Sequence, residues 1–496
     1  MFLLHLFLLP QLITCRFNNE NEFLNNSSSL NHHNLVNDSY RYHSTISVYD
    51  DPIQKIYGVS LGGWLVTEPW ITPTLYENVQ YVYFKNMPID EYTLSSTLGR
   101  NMTYEYLKPH WDNFYTELDF EEIANLSLNL VRIPIGYWAF GLLPDDPYVQ
   151  GQEKYLDMAI GWAAKHNLKI QIGIHGMPGS QNGFDNSGKT TTAPTWLEDG
   201  LNMELTYRVV DYVLNKYGNH STVHSIQLVN EPLALLLDRN KISNFYLYCM
   251  NVANEKNIHA KLVFHDAFLN IEAWKDFPGE FILDHHLYEI FSEWQINLNL
   301  DQHLDSIRKQ GESMARSGHR SIVGEFSGAM TDCAKYINGV GKGSRWDGTF
   351  QTQRNGSCLG HDNYNNLTFK NSTMSFLQEQ FYTYEEKGSG WIFWCWKTES
   401  TLNWDMKRLH MFEMLPTPLF RYENLNEPQP EETFSSQNVP GQNTRNGQDD
   451  EPNNTKTDSS GSSTSSSTKN ETSNSSIEYT LWSMILFIWS ILIFDT

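Results

Sequence analysis

The stretch HSIQLVNEPLA, residues 224–234, alternates apolar and polar side chains as a strand does and then stops on Asn230-Glu231-Pro232. Proline lacks an amide hydrogen and fixes φ, so it ends the ladder and leaves a carboxylate, with an amide beside it, at the strand's carboxyl end. The same pattern recurs along the chain. Between about residues 46 and 424 lie further β-like runs, YGVSLGGWLV, NLVRIPIG, LKIQIGIHG, KLVFHDAF, EFILDHHLYE, HRSIVGEFSG and SGWIFWCWKTE. Amphipathic stretches such as TELDFEEIANLSL, QEKYLDMAIGWAAKHNL and LDSIRKQGESMARSG separate them. Parallel strands need long crossovers, so this repeated order predicts an α/β chain folded as a (β/α)8 TIM barrel with long βα loops. No glycine-rich dinucleotide fingerprint follows the early strands, which leaves a doubly wound open sheet without its main support.

Polar residues gather at the carboxyl ends of these runs: Arg132, His175, Asn230 with Glu231, His265 with Asp266, His286 with Tyr288, Glu325, and Trp394 with Lys397. In a barrel those ends surround one mouth. Glu231 and Glu325 close the fourth and seventh runs, which stand across that mouth. Two carboxyl groups about 5–5.5 Å apart, one protonated and one ionised, are what a retaining glycosidase requires. The carboxyl opposed by burial and by its like-charged neighbour keeps its proton, and the one beside cations stays charged. Arg132 is the expected cation beside the nucleophile. His285 and His286 are adjacent on a strand, so their rings point to opposite faces and cannot share an ion. Neither a metal nor a cofactor is expected.

The chain has 496 residues, 40% hydrophobic and 14% aromatic, with 35 Lys plus Arg against 58 Asp plus Glu and a formal net charge of -23. That sign repels phosphate backbones and sets nucleic acid aside as a partner. Residues 1–15, MFLLHLFLLPQLITC, read as a secretory signal peptide, followed by an Asn-rich low-complexity segment at 16–45. After the barrel at 46–424, residues 425–476 are Ser, Thr and Asn-rich and too poor in apolar side chains to fold, so a disordered, glycosylated stalk is expected. Residues 477–496 form an apolar tail without a basic flank. Small residues, a polar stretch and a short apolar end match a glycosylphosphatidylinositol attachment signal, with Gly461, Asn470, Ser473 and Asn474 as possible attachment residues. Sequons at Asn101, Asn219, Asn355 and Asn366 fit the secretory route. Cys333 and Cys358 bracket a glycine-rich polar segment and are expected to staple one loop, whereas Cys249 and Cys395 lie in apolar surroundings as buried thiols.

GVSLGGWLVTEPWITPTLYE, LNLVRIPIGYWAF, HGMPGSQNGFDNSG, LVNEP, HHLYEIF, VGEFSGAMTDCAKYINGVGKGSRWDGTF and GWIFWCWKTE occur in that order over residues 46–424. They resemble the fungal exo-1,3-β-glucanases of glycoside hydrolase family 5. The resemblance implies a retaining barrel enzyme that removes glucose from nonreducing ends of β-1,3-glucan, with some capacity for glucosyl transfer. It makes Glu231 the acid/base and Glu325 the nucleophile, with Arg132 and Asn230 orienting the nucleophile and holding the sugar 2-hydroxyl. It sets His175, His286 and Tyr288 around the cleaved sugar, and Glu68 and Trp394 at the closed end of the pocket. Phe184 and Phe291 correspond to an aromatic pair that clamps the next glucose at the entrance. The family's second disulfide has no counterpart, since neither position carries cysteine here. The tail points to the membrane- or wall-attached branch, acting on glucan as a monomer at the cell surface. An endo-β-1,6-glucanase, a broad β-glucosidase and a non-catalytic glucan-binding wall protein are the alternatives.

Overall fold

Eight short strands pair in sequence order, each parallel to the next, and the eighth returns to the first to close a barrel. They are β1 (Ile56–Ser60), β2 (Leu130–Gly136), β3 (Lys169–Gly176), β4 (Val223–Gln227), β5 (Lys261–His265), β6 (Ile282–His286), β7 (Arg320–Glu325) and β8 (Gly390–Phe393). The structure, a computed structural model, describes residues 53–350 and 352–421. The expected leader at 1–15, the segment at 16–45, the stalk at 425–476 and the tail at 477–496 lie outside the described residues. Among the described residues, no helix is long and apolar enough to cross a membrane. The (β/α)8 fold and each of the eight runs stand as the sequence predicts, although strands such as β1, β4 and β8 are shorter than their runs.

Side-chain alternation builds the interior in layers. Ile56, Leu130, Val263, Ile282, Ile322 and Ile392 point inward and pack together at the amino end of the barrel. Each such side chain contributes roughly 1.5–3 kcal/mol by leaving water. Two residues further along five of these strands stand Arg132, His265, Asp284, Gly324 and Trp394, which a period of two directs to the same inner face. The barrel is therefore apolar at one level and polar at the next. This second level is the floor of the mouth.

Outside the barrel, helices cover the strands with one apolar face each. Gln152–Lys165, for example, buries Tyr155, Leu156, Ala159, Ile160 and Ala163. Helix Glu117–Asn125 starts in a capping box, Thr116 with Asp119, at the position the amphipathic pattern indicates. Three further helices, Pro73–Tyr81, Glu91–Leu98 and Arg100–Asn113, fill the first βα connection.

The long connection after β7 is stapled by Cys333 and Cys358, whose Cα atoms are 5.2 Å apart across 25 residues. Inside it, Asp332 accepts hydrogen bonds from Ser344 Oγ at 2.6 Å and from the amides of Arg345 and Trp346 at 2.8 and 3.0 Å. Cys249 and Cys395 are buried free thiols.

Gly176 ends β3 where the chain turns into the loop that carries Phe184. A Cβ there would lie 2.3 Å from the Ser187 carbonyl oxygen and 2.6 Å from the Trp138 ring. Gly161, on an exposed helix face, has nothing within 4 Å of the same added atom. Gly176→Ala is expected to lower stability by about 1–3 kcal/mol, and Gly161→Ala to raise it by roughly 0.5–1 kcal/mol. Urea unfolding of the two variants checks both signs.

Candidate active site

Arg132 stands at the centre of the mouth and is completely buried. Its Nη1 donates to Glu325 Oε1 at 2.6 Å, and its Nη2 donates to Asn230 Oδ1 at 2.7 Å and to Gln227 Oε1 at 2.8 Å. The guanidinium carbon lies 5.6 Å from the Trp394 ring centroid. Trp394, joined to Cys395 by a cis peptide, stacks on His175 with centroids 5.4 Å apart and planes 4° from parallel. The Tyr288 hydroxyl donates to Glu325 Oε2 at 2.9 Å. Both oxygens of Glu325 are thus held by donors.

Glu231 lies past the end of β4 with φ at 48°, a left-handed conformation that costs a non-glycine residue roughly 1–3 kcal/mol. Its neighbours hold it there. The Asn230 amide donates to the Ile174 carbonyl at 2.9 Å, the Leu233 amide to Gln181 at 3.1 Å, and Gln181 Nε2 to the Asn230 carbonyl at 2.8 Å. The carboxylate bonds His286 Nδ1 through Oε1 at 2.6 Å and receives Asn186 Nδ2 on Oε2 at 2.6 Å.

The same His286 Nδ1 lies 3.4 Å from Glu325 Oε2. Two carboxylates that share one nitrogen at 2.6 and 3.4 Å have facing oxygens no more than about 6 Å apart, so both reach the same small space in the mouth. Successive residues Gly324 and Glu325 would face opposite ways on a regular strand. The β6–β7 register shifts between His285 and His286, and this irregularity turns Glu325 into the mouth.

His286 decides the electrostatics. Burial opposes charge on its ring, but Glu325, Asp284 and the hydrogen bond to Glu231 outweigh burial and carry its pKa up to about 10. Burial also pushes Glu231 upward, yet the His286 cation, with His175 and Asn186, brings it below its ordinary value. Glu325 goes the other way: burial raises it, with help from Glu231, against the pull of His286 and Arg132. Arg132 does sit beside Glu325, as the sequence predicts. The second cation, which the sequence reading did not count as charged, reverses the resting preference and leaves Glu231 the more acidic of the pair.

Glu68 is buried at one end of the mouth beside Trp70, whose Nε1 donates to Glu68 Oε2 at 2.9 Å. Burial, followed by the charge of Asp185, holds Glu68 well above the usual carboxylate range. Burial and the charge of Asp90 push Asp185 up to about 7. Around this end, Glu68 Oε1, both ring nitrogens of His175, Asn230 Nδ2 and Asp185 Oδ2 are buried without a protein hydrogen-bond partner. Buried polar atoms are nearly always satisfied. A cluster that is not suits a ligand dense in hydroxyls.

No family model matches the chain. The chain is 40% identical over 390 residues to the glucan 1,3-beta-glucosidase 2 of Wickerhamomyces anomalus, covering 75% of this chain and 90% of that protein. It is 42% identical over 387 residues to the glucan 1,3-beta-glucosidase I/II of Saccharomyces cerevisiae, covering 74% of this chain and 86% of that one. This chain belongs to the fungal glucan 1,3-β-glucosidases of glycoside hydrolase family 5. The fold of this glucosidase-family chain also matches the crystal structure of rutinosidase from Aspergillus niger, with TM-score 0.57, 19% identity and coverage of 73% of this chain and 97% of that one.

In this family member the structure brings Glu68, Arg132, His175, Asn230, Glu231, His286, Tyr288, Glu325 and Trp394 together at one mouth. Phe184 and Phe291 are half-buried on the loops after β3 and β6, with Phe291 edge-on to Tyr288 at 5.5 Å. Two strand-tip residues belong elsewhere. Lys397 pairs with Asp119 at 2.9 Å outside the mouth, and Asp266 takes His285 Nδ1 at 2.7 Å. His285 and His286 do diverge. Glu231, His265 and His286 nevertheless place one ligating atom each within 4.8 Å, a grouping the sequence did not suggest. The proton that the carboxylates keep on His286 competes with any cation there.

Sequence reasoning missed Asn186 and Asp185, although both directly follow Phe184 in the quoted glycine-rich loop. It missed Gln227 and Asp284 because it looked only at strand tips, where a period-two reading would have pointed both inward.

The proton on His286 also stabilises the fold. With a pKa of about 10 in the folded protein against 6.5 ordinarily, its contribution is complete below 6.5 and is lost as pH rises through 10. His286→Asn is expected to flatten the alkaline fall in melting temperature over that window, as measured by calorimetry. An unchanged slope would mean a neutral ring.

Proposed function

We propose that this glucosidase-family enzyme hydrolyses β-1,3-glucan from the nonreducing end by double displacement, releasing glucose in cell-wall glucan remodelling. The observation that carries the reading is the pair Glu231 and Glu325 meeting at His286 Nδ1, which lets both carboxyls act on one glycosidic bond. The names of its relatives, glucan 1,3-beta-glucosidases, supply the linkage.

Glu325 attacks the anomeric carbon. Arg132 and Tyr288 hold its two oxygens, so one lone pair is aimed while the carboxylate cannot rotate. Glu231 protonates the departing oxygen. At rest the proton lies on His286 Nδ1, 2.6 Å from Glu231 Oε1, so Glu231 takes it from the ring as it passes it to the departing oxygen; ionised again, Glu231 is the base for the incoming water, whose proton restores the imidazolium. Glu68, His175 and Asn230 direct their unpaired atoms to sugar hydroxyls, and Trp394, stacked on His175, offers a ring face to the sugar. Phe184 and Phe291 would receive the next glucose on apolar ring faces. The names of its relatives, glucosidases, support exo action, in which one glucose leaves at a time.

Glucose of retained configuration should be the first product from laminarin, as read by anomer-resolved NMR with chromatography of early time points. A ladder of oligomers or inverted glucose would overturn the proposal. Glu231→Gln should slow laminarin hydrolysis by about 10²–10⁴-fold while sparing an aryl glucoside with a good leaving group, because only the poor leaving group needs the proton.

We further propose that the protein is secreted, glycosylated and held at the cell surface by a lipid anchor, working as a monomer. The leader-like segment, the anchor-like tail pattern and the exposure of Asn101, Asn219, Asn355 and Asn366 support this. Phosphatidylinositol-specific phospholipase C should release the enzyme from intact cells. Retention after complete phospholipase digestion and loss of other anchored proteins would contradict the lipid anchor.

A further inference from the structure

The level just below the two carboxylates holds a charged residue for which the mechanism above has no use. Asp284 lies on β6, two residues before His286, and is wholly buried. Barrel interiors are filled mainly by branched aliphatic side chains, and a buried carboxylate is costly. Room is made for this one. A Cβ on Gly324 would fall 2.1 Å from Asp284 Oδ1 and 2.5 Å from Oδ2. Gly324 is not in the left-handed region, so what the site needs from this glycine is space.

Asp284 Oδ2 accepts Gln227 Nε2 at 2.7 Å and lies 3.4 Å from His286 Nε2. Gln227 turns its other end to Arg132 Nη2 at 2.8 Å, and Arg132 Nη1 bonds Glu325. His286 Nδ1 meets Glu231. Five side chains therefore form a ring beneath the reacting centre, Glu325, Arg132, Gln227, Asp284 and His286, closed by the 3.4 Å approach of His286 Nδ1 to Glu325 Oε2, and Glu231 branches from His286.

We propose that Asp284 is a positioning residue: it anchors His286 Nε2 from below so that Nδ1 is held against Glu231, and through Gln227 it sets the place of Arg132 and hence of Glu325. This rests on the roles proposed for the two carboxylates. The groups facing His286 are Asp284 on its own strand, Glu325 on β7, Glu231 after β4, His265 on β5 with ring centroids 4.4 Å away, and His175 on β3. Burial works against the proton on His286, and the three carboxylates work for it. Removing the charge of Asp284 lowers the pH at which that proton leaves.

The test compares Asp284→Asn, which keeps the shape and removes the charge, with Gly324→Ala, which keeps the charge and drives a methyl group into the carboxylate. Both are assayed as the full-length enzyme on laminarin and an aryl β-glucoside across pH, beside Glu231→Gln and Glu325→Gln. Asp284→Asn should lose roughly tenfold or more in kcat with KM changed by less than about threefold. Its alkaline limb of kcat/KM should move to lower pH by about half a unit or more. Gly324→Ala should show a similar loss of kcat. An Asp284→Asn enzyme with kcat within about twofold of the parent overturns the proposal, as does a loss uniform across pH, which a purely structural role would give. Should Asp284→Asn fail to fold, an unchanged kcat in Gly324→Ala overturns it instead. Full activity in Glu231→Gln or Glu325→Gln would remove the reading of the carboxylates themselves, so the two failures are distinguishable.

Discussion

A guanidinium with no access to water organises this protein. Arg132 reaches Glu325, Asn230 and Gln227 from β2, and each of those bonds crosses the barrel or its mouth. Breaking one partner from a buried ion pair costs about 3–5 kcal/mol, because the remaining charge has nowhere to go. The strands that carry these residues must therefore meet at one geometry. Closure of the barrel and assembly of the site are the same constraint seen from two sides.

The change of chemistry from one interior level to the next follows from the same constraint. Aliphatic side chains at the amino end fill space without needing partners, and they can be exchanged for one another at modest cost. Two residues higher stand Arg132 and Asp284, charged side chains that need specific partners from other strands, beside Gly324, which leaves room for Asp284. A lower level that can tolerate change thus supports an upper one that cannot. Glu231 adds a strained backbone, kept in place by Asn230, Gln181 and Leu233.

His286 shows how far the environment controls chemistry. Its ring is buried, which alone would leave it neutral, yet three carboxylates keep it cationic. One imidazolium then sets the balance between two glutamates that are chemically identical in the chain. The rest of the mouth is tuned toward hydroxyls, with Glu68 and Asp185 pushed toward their neutral forms.

Much of this was legible in the sequence. The period-two runs, the crossover helices and the proline after Glu231 dictate a parallel barrel, and polar tips on successive strands place Arg132, His175, Glu231, His286 and Glu325 at one end, because alternation and crossover length are local properties of a chain. The charge on His286, the inward turn of Glu325, the removal of Lys397 to Asp119 and the bridge from Gln227 to Asp284 were decided only by tertiary structure. Each depends on what a residue distant in sequence brings within a few ångströms. Coulomb energy and steric room depend on separation in space, which no stretch of sequence records.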